Sequence, residues 1–270
     1  VDENGGMIND PLIYKLNDGK WRICIADSDV LLFAKGIAGS KNLKVNIFET
    51  NICTLAIQGP KSFKLMEEIF GKEITELKFF KFNFFNFKNN KYLISRSGFS
   101  KQGGYEVHVE DIKAGLLLYD HLFNIGNKYN LKPGAPNHAE RIEGGLLSYG
   151  NDMLITDNPY ECGFEKSVNL DTNIDFLGKE SLKMIKDKGI ARKLVGVKIN
   201  TKELSLSDTD LLDKNSQIIG ELRSAAFSPK FNKIVGISMI KNEFSQIANK
   251  FQIKVDKKYV SGEVSNLPIT

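Results

Sequence analysis

Apolar and polar positions alternate with a period of two near the start of the chain. Asp10 to Leu16 reads as a strand, Asn17-Asp18-Gly19-Lys20 as turn chemistry, and Trp21 to Ile25 as the returning strand of a hairpin. The period then lengthens, and Val30-Leu31-Leu32-Phe33-Ala34 begins a helix that Asp27 or Ser28 is placed to cap. Lys44 to Phe48 and Thr54 to Ile57 return to the strand pattern. Gly59-Pro60 breaks the second of these, and from Ser62 onward Phe63, Leu65, Met66, Ile69 and Phe70 mark an amphipathic helix. Phe79 to Phe87 is rich in aromatic residues, which favour a strand packed on a core. Lys91 to Ser97 and Tyr105 to Val109 form another strand pair around the loop Gly98 to Gly104. Asp111 opens a long helix carrying Leu116, Leu117, Tyr119, Leu122 and Phe123. Pro133-Gly134-Ala135-Pro136 stops the chain before a further helix, Asn137 to Ser148.

After Gly189 the character changes to short strands: Leu194 to Ile199, Ile218 to Ser224, Ile234 to Ile240, Phe251 to Val255 and Glu263 to Ser265. Asp213-Lys214-Asn215 and Ser228-Pro229 supply turns between them. The expected architecture is an α+β domain over residues 1–189 followed by a small β-barrel domain over 190–270.

Composition narrows the function class. Hydrophobic residues make up 41% of the 270, enough for a core without disulfides or metal, and no apolar run approaches a membrane span. The net charge of +4 is spread without a basic block, so neither a nucleic-acid stripe nor a membrane surface is expected. Mild positive charge does suit an anionic small molecule. Cys24, Cys53 and Cys162 are isolated, which points to a reducing cytoplasm, and His108, His121 and His138 have no metal-ligand spacing, so no metal is expected. The opening Val1-Asp2-Glu3-Asn4-Gly5-Gly6 lacks a starting Met and looks like the middle of a hairpin, so an incomplete N-terminus is expected.

Three stretches concentrate polar groups next to glycine. They are Gly5 to Pro11, Ser97 to Glu106, and Arg141 to Gly145 with its continuation to Asp152. Glycine beside an acid lets a flat ligand approach backbone and carboxylate together. Each also has an ordinary reading: Gly-Gly pairs make turns, and Arg141 with Glu143 can be solvated helix charges.

Taken in order, these segments resemble the aminomethyltransferase (glycine cleavage T-protein) family. Gly5 to Asp10 is similar to its GGxxDD hairpin and Ala56 to Pro60 to its ALQGP turn. Gly98 to Val107 resembles GYTGEDGYEI, and Arg141 to Asp152 resembles RLEAGLxLYGND. Pro159 to Gly163, Phe176 to Glu180, Ile219 to Ser224 with Phe227 to Pro229, and Leu267-Pro268 match further family segments, so the resemblance covers essentially the whole chain. Within the family, Ile25 to Val30, Ile74 to Phe80 and Ser100 to Val107 are most similar to the branch that demethylates dimethylsulfoniopropionate.

The resemblance implies a folate-binding domain, with tetrahydrofolate as cofactor and a small-molecule methyl donor as partner. It also makes a homodimer possible. Glu106 would accept hydrogen bonds from the pterin, because two parallel donors match its two oxygens. Phe99, Tyr105 and Arg141 are further candidate folate contacts. Strand alternation, however, turns Tyr105 away from the face of Glu106, and Arg141 can instead pair with Glu143. Asn9 stands where aminomethyltransferases carry the first Asp of their pair, and Asp10 follows it, which makes these two the candidate catalytic positions. An amide cannot serve as a general base, so Asn9 favours methyl transfer from an already activated sulfonium over aminomethyl transfer. Asp10 and His108 are the candidate substrate contacts. The chain departs from the demethylating branch at Phe99, where Trp is expected, and at His108, where Tyr is expected. Aminomethyl transfer from an amine, or folate binding without catalysis, are the alternatives, although the KGCYxGQE pattern of the iron–sulfur relatives is missing.

Overall fold

The computed structural model describes residues 1–17, 19–25, 30–203 and 206–270. It divides into two compact units. One gathers Val1–Leu12, Ile23–Val30 and His138–Thr270; the other gathers Ile13–Arg22 and Leu31–Asn137. The second is therefore inserted into the first, a division that does not follow the 189/190 boundary of the sequence pattern.

The hairpin forms as expected. Strands β1 (Leu12–Lys15) and β2 (Trp21–Cys24) pair, and the turn closes where the Leu16 N–H donates to the Lys20 carbonyl at 2.8 Å. Helix α1 runs over Val30–Ser40. Its expected Asp27 or Ser28 cap lies outside the described residues, as does Asp18 of the turn.

The core of the inserted unit is a four-stranded antiparallel sheet in the order β3 (Cys53–Gln58), β6 (Gly104–Val109), β5 (Asn90–Ser95), β4 (Phe82–Phe87). Period-two alternation sorts its faces. Ile57, Tyr105, Val107, Ile94, Phe85 and Phe87 point one way, into a cluster with helices α2 (Ser62–Phe70) and α3 (Ile112–Gly126). Asp111 caps α3 by accepting the Ala114 N–H at 2.7 Å. The buried stripe of α3 is Ala114, Leu118 and Leu122, whereas Leu116, Leu117 and Tyr119 are exposed. A spacing of four fixes one helix face, and these three residues do not share it. Lys44 to Phe48, expected as a strand, is mostly exposed and irregular, and it pairs with none of the strands among the described residues.

In the other unit, helix α4 spans only His138–Glu143 rather than reaching Ser148. Gly144 and Gly145 end it: Gly145 has φ +64°, and the Leu146 N–H reaches back to the Arg141 carbonyl. Helix α5 (Lys179–Lys188) precedes the barrel. The barrel is closed and has six strands where the pattern suggested five: β7 (Arg192–Ile199), β8 (Leu206–Leu212), β9 (Ile218–Ser228), β10 (Lys233–Lys241), β11 (Lys250–Val255) and β12 (Lys258–Ser265). The added strand is β8, whose Asp208 and Asp210 suit strands poorly. Pairing to β9 and β11 carries it. Val197, Ile199, Leu211, Ile234, Ile253 and Val264 fill the interior. Ile142 of α4 and Met7 pack with Val235, Ile237 and Met239 of β10, so this strand is buried on both faces.

Candidate functional site

The sheet face of the inserted unit that turns away from α2 and α3 carries the polar candidates. Glu106 stands on β6 in register with Ala56 of β3 and Ser95 of β5; His108 stands two residues on, opposite Thr54 and Leu93. Glu106 is half-buried, while Thr54 and Ala56 are exposed, so the face is open beside the carboxylate. A relay of hydroxyls orients that carboxylate. Ser97 donates to Glu106 Oε2, Ser95 and Ser97 share a hydrogen bond at 2.7 Å, and Tyr14 of β1 donates to Ser95 at 3.2 Å. Glu106 Oε1 keeps its acceptor capacity, since Ser97 is the hydrogen-bond partner the described residues provide.

The loop before β6 is built to present this edge. Gly98, Lys101, Gly103 and Gly104 all have positive φ. Gln58 braces the loop by donating to the carbonyls of Ser97 and Tyr105 and accepting from Ser100 at 2.7 Å. Phe99, in this loop, leaves 40% of its surface open, enough for a ligand to meet its ring. Tyr105 does not share the face. It is 0% exposed, donates its hydroxyl to the Ile74 carbonyl at 3.2 Å and packs edge-on to Phe63. As a core residue it offers no surface to a cofactor, and the expectation that it contacts folate gives way to packing.

His108 is 3% exposed. Its Nδ1 lies 3.4 Å from Arg22 Nη1, the Tyr14 ring stands edge-on at 5.1 Å, and Arg22 Nη2 donates to Glu110 at 2.6 Å. Burial, and then the nearby guanidinium, push the imidazole down to about 4, with Glu110 opposing. Arg22, Tyr14, Ser95 and Ser97 were not singled out in the sequence. The two serines could have been, because they fall at alternate positions of an apolar strand, on the parity opposite Tyr92 and Ile94.

Asn9, Asp10 and Arg141 belong to the other unit. Asn9 Oδ1 accepts the Asp10 N–H at 2.8 Å, and its amide nitrogen is buried with no partner among the described residues. The Asp10 side chain keeps contact with solvent, yet loss of hydration pushes its carboxyl up to about 6. The Gly5-Gly6 pair upstream is accounted for by a turn: Asp2 Oδ1 accepts from the Asn4 and Gly6 amides, and a side chain at Gly6 would strike the Ile155 carbonyl at 2.3 Å.

Arg141 is 5% exposed, and its guanidinium is committed within the protein. It pairs with the buried Asp152 and donates to Ser224 at 2.8 Å, while Glu143 accepts from Ser228 at 2.6 Å. The expected Glu143 partner is thus replaced by Asp152, and most of the Arg141 donors are spent inside the protein. A second buried network joins Asp157 to Arg223 and Arg192, and Glu161 to Arg192. Cys162 lies beside it, its thiol pushed up to about 12 by burial, which leaves it protonated and inert.

Residues 1–172 match the family model of the GCVT N-terminal domain, and residues 192–270 match that of the glycine cleavage T-protein C-terminal barrel domain. Dimethylsulfoniopropionate demethylase DmdA of Ruegeria pomeroyi is 38% identical over 240 residues, covering 89% of this chain and 65% of that protein. An aminomethyltransferase of Clostridium botulinum (strain Okra / Type B1) is 33% identical over 266 residues, covering 95% of this chain and 70% of that one. The crystal structure of glycine cleavage system aminomethyltransferase T from Bartonella henselae covers 100% of this chain and 74% of its own, with a TM-score of 0.86 at 20% identity, a likeness of fold. The chain spans about two thirds of the length of the curated relatives it matches.

Proposed function

We propose, for a chain that belongs to the glycine cleavage T-protein family, tetrahydrofolate-dependent transfer of a one-carbon group. Within that chemistry, the reading favoured is removal of a methyl group from a sulfonium of the dimethylsulfoniopropionate kind. The observation that carries it is Glu106, a half-buried carboxylate oriented by Ser97 on the open face of the sheet, with one oxygen left to accept. Paired N–H donors such as those of a pterin edge fit that group.

A bound tetrahydrofolate would supply a nucleophilic ring nitrogen that takes the methyl group and gives up its own proton to water, while the sulfonium sulfur keeps the bonding pair of the broken S–C bond and becomes a thioether. The chain's own residues bind and orient. Glu106 accepts from the pterin edge. Phe99 offers a π face, an attraction of about 1–2 kcal/mol for a desolvated cation. Asn9 holds no exchangeable charge and acts through its amide, not as a base. Asp10, ionised at neutral pH, favours a cationic donor. Aminomethyl transfer is the second reading, supported by the Clostridium relative and opposed by Asn9. A cytoplasmic setting accords with the three free cysteines, and no described helix is long and apolar enough to cross a membrane.

The test uses the natural protein that contains this chain, incubated with tetrahydrofolate and dimethylsulfoniopropionate and read by mass spectrometry. Accumulation of 5-methyl-tetrahydrofolate together with methylthiopropionate is the expected result. Glu106→Gln is expected to weaken folate binding roughly tenfold or more, through loss of a charge-assisted pair. Folate binding without methyl movement sinks the sulfonium donor, and no folate binding sinks the whole reading.

A further inference from the structure

His108 and Arg22 meet on the sheet face that carries Glu106, and their atoms restrict each other's chemistry. A guanidinium has donors only and stays charged at every accessible pH. With Arg22 Nη1 at 3.4 Å, a long contact, His108 Nδ1 can face it favourably only with a lone pair. The single proton of the ring then sits on Nε2, which is buried and has no partner among the described residues. Arg22 is itself fixed by Glu110, which anchors the other arm of the guanidinium at 2.6 Å.

We infer that Arg22 is a positioning residue that holds His108 uncharged, as the Nε2–H tautomer, beside Glu106. Every neighbouring group among the described residues fits that state. From β1, Tyr14 presents a ring edge; from β2 comes Arg22; along β6 stand Glu106 and Glu110; and in register on β3 and β5 are Thr54 and Leu93, neither of which titrates. The charge of Arg22 is matched by Glu110, so an imidazolium would be a second cation on a face whose one nearby unpaired charge, among the described residues, is the Glu106 carboxylate. Burial of the ring, 3% exposed, opposes protonation in the same direction. The consequence for specificity rests on the demethylation reading: a cationic methyl donor approaching this face has an uncharged ring beneath it, not a like charge, even in mild acid. Histidine at this position is thereby made compatible with a sulfonium, which its own ordinary titration would repel.

The test is a proton–nitrogen correlation NMR titration of the full chain across about pH 4.5 to 8, with His108 identified by its absence in His108→Gln. His108 is expected to remain the neutral Nε2–H form to about pH 5. In Arg22→Gln its protonation is expected to move upward by about one pH unit or more, the scale of losing a nearby like charge. Arg22→Lys should hold it down, and Glu110→Gln should leave it low. A wild-type His108 that titrates in its ordinary range, a proton on Nδ1, or an Arg22→Gln variant with an unmoved titration overturns the inference. In the turnover assay, Arg22→Gln is expected to raise KM for the sulfonium about twofold between about pH 7.5 and 5 with kcat steady, while the wild type stays nearly flat. The expected NMR behaviour with no turnover in any variant upholds Arg22's role and rejects the methyl-transfer reading.

Discussion

Asp10 binds its proton more tightly in the folded chain than in the unfolded one, because its carboxyl moves from an ordinary 3.8 to about 6 as it loses hydration. Its stabilising contribution is therefore complete below the unfolded value and is lost as pH rises through about 6. Asp10→Asn removes this penalty. The variant's thermal midpoint is expected to match the wild type near pH 3.5, to exceed it increasingly as pH rises to about 6, and to hold a constant lead above about pH 7. A midpoint difference that stays flat with pH would show that Asp10 titrates normally. The side chain keeps solvent contact, so only the direction is assigned. Residue roles were partly legible beforehand. The alternation that set Tyr105 against Glu106 needs nothing beyond the strand period. Arg141 behaved otherwise, because its partner Asp152 lies eleven residues on, past a helix end that the Gly144-Gly145 pair brings forward.

At the scale of elements, the Gly103-Gly104 step is where the candidate loop meets its sheet. Gly104 has φ +152°, and a Cβ there would lie 2.2 Å from the Ile57 carbonyl oxygen and 2.8 Å from Gln58 Cα, both backbone of β3. Gly104→Ala is expected to cost about 2–4 kcal/mol in urea unfolding, since the strand pairing itself must shift. Gly36, in α1 with nothing within 4 Å of an added Cβ, provides the contrast: Gly36→Ala should stabilise by about 0.5–1 kcal/mol. Equal effects at the two sites would remove the steric argument. The same scale explains which elements could be read in advance. The alternating run Trp21–Cys24 and the continuous apolar run Lys233–Lys241 announce themselves through composition and pattern. Strand β8 does not, because its conformation is imposed by two neighbours distant in sequence. Lys44 to Phe48 has strand-like residues but no neighbour, and a strand exists only through its pairing.

At the scale of the molecule, the chain passes between the two units at Leu12, Arg22, Val30 and Asn137, and the N-terminal unit is completed by residues that follow the insertion. Met7 donates to the Asp157 carbonyl at 2.8 Å, Ser181 donates to the Glu3 carbonyl at 2.7 Å, and a Cβ on Gly5 would touch Leu182 at 3.1 Å. A protease site built at the exposed Gly134 is therefore expected to yield two fragments that still elute as one species under native conditions and separate only in denaturant. Fragments that part without denaturant would mean that the first segment is not bound as described. The insertion was invisible in the sequence pattern, which follows local periodicity and carries no record of which distant segments return to one another.

The same topology sets an order of events during synthesis. Met7 leaves the ribosome long before Asp157, the residue whose carbonyl it bonds. At about 5–20 residues per second, the intervening stretch takes roughly ten to thirty seconds to make. The insertion, with its sheet and both covering helices, ends at Asn137 and is complete in sequence before Asp157 is made, while the opening segment still waits for its partners. The nascent chain can thus assemble its middle before its beginning.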